Sequence, residues 1–215
     1  MSVEKVFWLD PYRAALRTKV TSVVENIITL DKTIVFAFSG GQASDSGRIN
    51  GFKILEAEKV DKEIYYTVEG DHDLKVDDEV LMEIDWEKRY RIMRLHFAAE
   101  VILELVNQHF DCPEKNGANI SDTKARVDFM WNGNISETFT FLQSEASRII
   151  GLNLPIISDF SDVEKEARFW EVKGFGKVPC GGTHIKTTGE IGRIKLRREN
   201  IGKNKERIEI VLVTD

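Results

Sequence analysis

The stretch Val178-Pro179-Cys180-Gly181-Gly182-Thr183-His184 carries the side chains best suited to chemistry. It sets one of the chain's two cysteines in C-x3-H spacing with one of its four histidines. Thiolate and imidazole are preferred zinc ligands. The two glycines between them allow a tight backbone on which both side chains converge and which a substrate can approach. The plainer reading is a small buried cysteine followed by a turn. A metal site needs three or four ligands, so the rest must come from elsewhere.

Arg94-Leu95-His96-Phe97-Ala98-Ala99-Glu100 supplies the candidates. On a helix, His96 and Glu100 share one face a turn apart, the spacing that metal-binding helices use. Taken alone they would be a surface hydrogen-bonded pair; together with Cys180 and His184 they make a ligand set. A third stretch, Ser39-Gly40-Gly41-Gln42-Ala43-Ser44-Asp45-Ser46-Gly47, combines three glycines with an amide and a carboxylate. Such glycine density lets backbone N–H groups face a ligand, although a long hairpin connection would use it too. It is neither a Walker loop nor a dinucleotide fingerprint.

The elements that must position these residues fall into two patterns. Residues 1–86 read as short strands: Lys5 to Leu9, Val20 to Leu30, Thr33 to Phe38, Phe52 to Val60, Ile64 to Val68 and Val80 to Ile84. Asp31-Lys32 and Gly70-Asp71-His72-Asp73 read as turns, with His72 an exposed loop residue. Strands at this spacing predict a small closed or nearly closed barrel. From Trp86 to about Phe110 the apolar positions Ile92, Leu95, Ala99, Ile102, Leu103 and Val106 recur at helical steps. His109 suits that helix's C-terminal end, and Cys112 reads as structural.

Thr123 to Trp131 alternates as a strand, Ser136 reads as the N-cap of a helix over 137–150, and 162–169 as a brief charged helix. A hairpin then runs from Ile191 to Val213 around Gly202-Lys203-Asn204. Helices mixed with antiparallel strands give residues 87–215 an α+β layout.

The sequence of 215 residues is 42% apolar and 31% charged, as expected of a globular protein with a core. It has no apolar run of about 18 residues, the length a membrane helix needs. Met1-Ser2-Val3-Glu4-Lys5 does not read as a signal peptide. Two cysteines make no disulfide framework, so a cytoplasmic setting is expected. A net charge of −6 argues against broad nucleic-acid binding. Charge is nevertheless segregated: Lys186 to Arg207 holds eight basic residues against Glu190, Glu199 and Glu206. A solvated hairpin with lysine-guarded edges would look the same.

In combination these motifs resemble a known family. His96-x3-Glu100, Cys180-Gly181-Gly182-Thr183-His184 and the following Thr188-Gly189-Glu190-Ile191-Gly192 resemble the editing domain of alanyl-tRNA synthetases. Gly40-Gly41-Gln42-x-x-Asp45-x-Gly47 resembles the glycine-rich motif of the same proteins. The chain is similar throughout to the freestanding alanyl-tRNA editing proteins of the AlaX type, in their medium-length form. The resemblance implies a monomeric trans-editing deacylase that hydrolyses the ester joining serine, or in some members glycine, to the acceptor end of tRNA(Ala). It implies one metal ion, usually Zn²⁺, held by an H-x3-H and a C-x3-H pair. His96, Cys180 and His184 match ligand positions, and Glu100 stands where the family has its second histidine. Glu100 is then a fourth ligand, or a base for a metal-bound water, or a mark of weakened metal binding. In the last case the chain would be a non-catalytic tRNA-binding module; a structural metal domain acting through protein contacts is a third reading.

On the deacylase reading, Gly181, Gly182 and Thr183 offer backbone to an oxyanion or the terminal adenosine. Gln42 and Asp45, with Gly40, Gly41 and Gly47 shaping their loop, reach the aminoacyl group. Asn119 and Ser121 are the expected wall for serine's hydroxyl. The basic hairpin, with Lys88, Arg89, Arg91 and Arg94, is expected to track acceptor-stem phosphates.

Overall fold

The computed structural model describes residues 2–213. The chain forms two compact units, one of residues 1–39 and 43–90, the other of 40–42 and 91–215. The expected boundary at 86/87 lies close to this division, but the split falls inside a helix and Gly40–Gln42 belong to the second unit.

The first unit opens with a two-residue strand β1 (Glu4–Lys5) and a single helical turn α1 (Val6–Leu9), where a strand was expected from Lys5 to Leu9. The predicted strand Val20 to Leu30 is really a hairpin: β2 (Ala15–Val24) turns through Glu25 and Asn26 into β3 (Ile27–Leu30). Glu25 makes the turn at φ 55°, a conformation its residue type does not advertise. After β4 (Lys32–Thr33), which pairs with β1, the apolar run Ile34–Ala37 is buried but joins no ladder. Its backbone is met by side chains instead, since Phe36 N–H donates to Asp45 Oδ2 (2.7 Å) and Arg89 Nη2 donates to Ile34 O (2.6 Å).

Then come β5 (Gly47–Ile49), β6 (Phe52–Val60), β7 (Glu63–Val68) and β8 (Glu79–Ile84). Pairing runs β2-β3-β7-β6-β5-β8 and returns to β2, so the six strands close a ring. Val20, Ile28, Ile49, Tyr66, Val68 and Met82 are buried without exposed surface. Gly47 is a packing position: a Cβ there would overlap the Glu83 carbonyl across the β5–β8 pair. His72 is half-buried, its ring edge-on to Phe52 with centroids 6.0 Å apart, not an exposed loop residue.

The helix α2 (Trp86–His109) matches the predicted span within a residue. Its residues Ile92, Met93, Leu95, Phe97, Ala98, Val101 and Ile102 are all fully buried, so the helix is apolar around its circumference. Two sheets complete the second unit. One has the antiparallel order β14-β15-β10-β9, built from β9 (Lys115–Ile120), β10 (Ala125–Met130), β14 (Ile194–Gly202) and β15 (Lys205–Leu212). The other is β11 (Ile157–Asp162), β12 (Ala167–Val172) and β13 (Gly176–Pro179) in that order. The helix α3 (Phe139–Gly151) follows a 3-10 turn at Ile135–Thr138, capped by the Asn134 side chain and not by Ser136, whose N–H donates to Asn134 Oδ1 (3.1 Å). The charged helix expected over 162–169 is a hairpin. Asp162 to Glu166 form its turn, Glu166 at φ 55°, and Arg168, Trp170 and Val172 alternate inward along β12. The mixed helices and largely antiparallel sheets fit the expected α+β class.

Candidate metal centre

Cys180 leaves the end of β13 still in register, its N–H donating to Arg168 O at 2.9 Å. Four residues on, His184 returns toward it. A 3-10 turn at Thr188–Ile191 anchors the far side, closed by a capping box in which Glu190 Oε1 accepts from Thr187 N–H at 3.0 Å. Between the two ends Gly182 lies so close to α2 that a Cβ would overlap the His96 ring and the Gln42 amide. Gly181 is the opposite case: exposed, with nothing within 4 Å of where a Cβ would stand.

The ligand-type atoms of His96, Cys180 and His184 all lie within 4.8 Å of one another, a group that could hold a metal ion. Cys180 Sγ is 3.5 Å from His96 Nε2 and 3.3 Å from His184 Nε2. Glu100 joins them: Oε1 stands 3.4 Å from His96 Nε2 and 3.7 Å from Cys180 Sγ. Each ring is aimed by its other nitrogen. His96 Nδ1–H donates to Thr183 O (3.3 Å), and His184 Nδ1 bonds to Ser158 Oγ (2.8 Å). Both Nε2 atoms therefore face the sulfur. Trp170 Nε1–H donates to Glu100 Oε2 at 2.9 Å, which leaves Oε1 turned inward.

The electrostatics follow from crowding. Burial disfavours charge on His96, but the Cys180 sulfur and the Glu100 carboxylate outweigh it and raise its pKa to about 10. Burial likewise pushes Glu100 up, yet the hydrogen bond from His96 and its charge bring the carboxyl down to about 2. His184 is held well below the usual imidazole range, first by burial and then by the charge of His96, and so stays neutral. A buried cation shared among acceptors marks the place that a metal ion would take over.

The glycine-rich loop reaches this centre through one residue. Gln42 donates from Nε2 to Thr183 Oγ1 (2.9 Å) and accepts from Thr183 N–H on Oε1 (3.1 Å). Both residues are 1% exposed. They hold the loop in place and their polar atoms are spent on each other. Gly41, at φ 87°, packs where a Cβ would overlap Ala118 O, and Ile120 N–H donates to Gly41 O (2.8 Å). Gly40, at φ 60°, is exposed.

Asp45 does not match its expected role at the aminoacyl group. Both its oxygens are taken by the fully buried Arg89, and Oδ2 also by Phe36 N–H. Ser121 closes the β9–β10 turn with its hydroxyl, accepting from Lys124 N–H (3.2 Å) and donating to Lys124 O (3.0 Å). Asn119, half-buried on β9, keeps its amide uncommitted among the described residues. Several expected phosphate contacts are also engaged: Arg94 bonds Ile191 O, Arg91 bonds Asp122 O, Arg198 pairs with Glu206, and Arg207 with Asp128.

Three supporting residues escaped the sequence reading: Ser158, Trp170 and Arg168, whose Nη1 donates to Gly182 O at 3.2 Å. The alternation of Arg168, Trp170 and Val172 was the available signal, cut short by reading 162–169 as helical.

Residues 168–209 match the family model described as the threonyl and alanyl tRNA synthetase second additional domain. The chain is 32% identical to an alanyl-tRNA editing protein AlaX-M of Pyrococcus horikoshii, over 97% of each chain. It is 32% identical to the AlaX-M protein of Methanosarcina mazei over 98% of this chain and 96% of the relative. An alanine–tRNA ligase of Methanococcus maripaludis is 30% identical over 96% of this chain but only 25% of its own length. The donor cluster lies within and beside the matched segment, and the likeness extends along nearly the whole of relatives of similar length; the chain belongs to the family of AlaX-M alanyl-tRNA editing proteins.

Proposed function

We propose that this protein is a trans-editing deacylase that hydrolyses mischarged tRNA(Ala), with serine or glycine on the acceptor end, at a Zn²⁺ centre formed by His96, Glu100, Cys180 and His184. The observation that carries this reading is the convergence of the His96, Cys180 and His184 donor atoms, with Glu100 beside two of them. Tetrahedral zinc with bonds of about 2.0–2.1 Å to N or O and about 2.3 Å to S has N···O edges of about 3.4 Å and N···S edges of about 3.6 Å. The separations of 3.4 Å for His96–Glu100 and of 3.5 and 3.3 Å from Cys180 to the two imidazoles fit those edges. Glu100 lies beside His96 and Cys180 but outside the three-residue group, and of its three open roles we read it as the fourth ligand.

When bound, the ion polarises the ester carbonyl or lowers the pKa of a water. The chain supplies the rest. Gln42 and Thr183 lock the loop, and Arg168 holds the Gly182 carbonyl. The exposed Gly181, beside Cys180, leaves room for the substrate's 3′ end. Asn119 is the uncommitted, half-buried amide suited to serine's hydroxyl; once substrate covers it, an analogue lacking that hydroxyl would leave it unpaired and be disfavoured. Asp45 and Gly47 act at one remove, as parts of the scaffold, and so does Ser121. We read the six-strand ring as the small glycine-motif barrel, and the protein as a cytoplasmic monomer; among the described residues no helix is long and apolar enough to cross a membrane.

The test is release of labelled serine from seryl-tRNA(Ala), with metal content measured on the same preparation. Chelation is expected to stop release and added zinc to restore it. A protein that binds this tRNA yet leaves the ester intact in the presence of zinc would be a binding module, and the reading would fail.

A further inference from the structure

At the C-terminal end of α2, thirteen residues and so about 20 Å along the helix from His96, lies a cavity of about 600 Å³. Its wall includes His109, Phe110, Trp131, Asn132, Glu137 and Phe141. Phe110 stands edge-on to both Trp131 and Phe141, with centroids 5.8 Å from each. His109 meets Phe141 edge-on at 4.8 Å. None of these rings is fully buried, and Phe141 is 38% exposed. Edge-on packing leaves ring faces available to the cavity. The centre described above uses none of these residues.

The polar groups here are as informative as the rings. The Trp131 indole N–H and the Asn132 amide have no partner among the described residues, and Glu137 presents an exposed carboxylate. An apolar side chain seated in the cavity would leave them unpaired; the edge of a heterocycle would use them. Beside the cavity, the backbone N–H of Trp131 donates to Asn204 O at 2.9 Å, which fixes the β14–β15 turn against it. That turn carries Lys203 and Lys205, both exposed and with no ion pair among the described residues; Lys205 lies opposite Met130 in the ladder. Glu137 disfavours a phosphate inside the cavity, whereas the lysines favour one outside it.

We propose that this cavity binds an unstacked nucleobase of RNA, with the adjoining backbone phosphates on Lys203 and Lys205. Aromatic platforms flanked by cations are how single-stranded RNA is held. The inference rests on the tRNA reading above for its biological ligand, but its test does not.

The probe is a fluorescein-labelled single-stranded RNA octamer, with binding to the full chain followed by anisotropy against salt. Trp131→Leu keeps apolar bulk and removes the π face and the N–H; Phe141→Ala removes a ring with little burial. Each is expected to weaken binding about 5- to 100-fold, the range for losing one stacked base. Lys203→Gln with Lys205→Gln should flatten the slope of log affinity on log salt by about 1.4, at about 0.7 per phosphate. Zinc content and ester hydrolysis of a short acceptor-end mimic should stay at the parent level in the two aromatic variants. Unchanged octamer binding in both aromatic variants, with melting temperatures preserved, overturns the proposal. So does a change in oligomeric state without a change in RNA affinity, which would make the cavity a protein-docking site. Loss of hydrolysis by the parent protein with octamer binding intact would instead sink the deacylase reading alone.

Discussion

Two of the places where this chain buries charge do so in opposite ways. In the first unit, Arg89 is fully buried and every arm of its guanidinium is met: Asp45 takes Nε and Nη2, Ile34 O takes Nη2 and Pro11 O takes Nη1. Four of its five N–H groups are thus bonded to described residues and its charge is paired with Asp45, so the network needs no visitor. In the second unit, His96, Glu100, Cys180 and His184 turn their donor atoms toward one another, and a proton on His96 is the only positive charge among them. A saturated buried pair specifies a fold; convergent electron-pair donors specify a ligand. Arg89 and Asp45 therefore belong to architecture although sequence placed them at the tRNA surface and the active site.

The largest effect should come from unbalancing the saturated pair. Asp45→Ala leaves Arg89 as an uncompensated buried charge, and the expected loss is about 3–5 kcal/mol of stability, read by urea denaturation. If that variant unfolds like the parent, the contrast is broken. Cys180→Ala should behave the other way. It is expected to change the stability of the metal-free protein by less than about 1 kcal/mol, while zinc affinity in chelator competition falls by more than the roughly 100-fold limit for loss of a supporting hydrogen bond.

Trp170→Phe tests the layer behind the ligands. The ring stays between Phe97 and Phe175, and only the N–H to Glu100 is lost. Zinc affinity should drop about 10- to 100-fold, and an unchanged affinity would mean that Glu100 needs no orienting. pH sharpens the same point. Without metal His96 keeps its proton up to about 10, whereas a ligand must be neutral. Zinc binding at neutral pH must then expel protons from the donor set, that of His96 among them, so affinity should rise with pH by about tenfold per unit or more. Glu100, with its carboxyl near 2, and His184, already neutral, add nothing to the slope in this window. Calorimetry in buffers of different ionisation heat would count the protons. Smallest is Asn119→Ala, for which release of serine should slow by about tenfold or less with stability unchanged.

The sequence disclosed the centre better than its surroundings because ligand chemistry admits few residue types. Cysteine and histidine in C-x3-H, with a helical histidine and glutamate, are legible as soon as the helix is recognised, and α2 is long and strongly patterned. What stayed hidden depends on backbone geometry or on a partner far along the chain. Glu25 and Glu166 turn at positive φ without a glycine to announce it, so one hairpin was read as a single strand and another as a helix. Reading 162–169 as helical also concealed Arg168, and Trp170 lay just past that stretch with no element assigned to it. Asp45 looked catalytic because it sits among glycines, and only the folded chain brings Arg89 to it. Gln42 and Thr183 are adjacent to every candidate motif, yet that they bond each other across 141 positions has no sequence signature.

That last bond limits how the molecule can be dissected. A fragment starting at residue 91 would retain all four proposed zinc donors but lack Gln42, which the fold assigns to the same unit. The amide N–H and hydroxyl of Thr183 would then lose their partner inside the protein, next to the carbonyl that aims His96. Anyone trimming this protein to its second unit has to splice residues 40–42 back in, because the partner of Thr183 comes from a stretch far upstream in the chain.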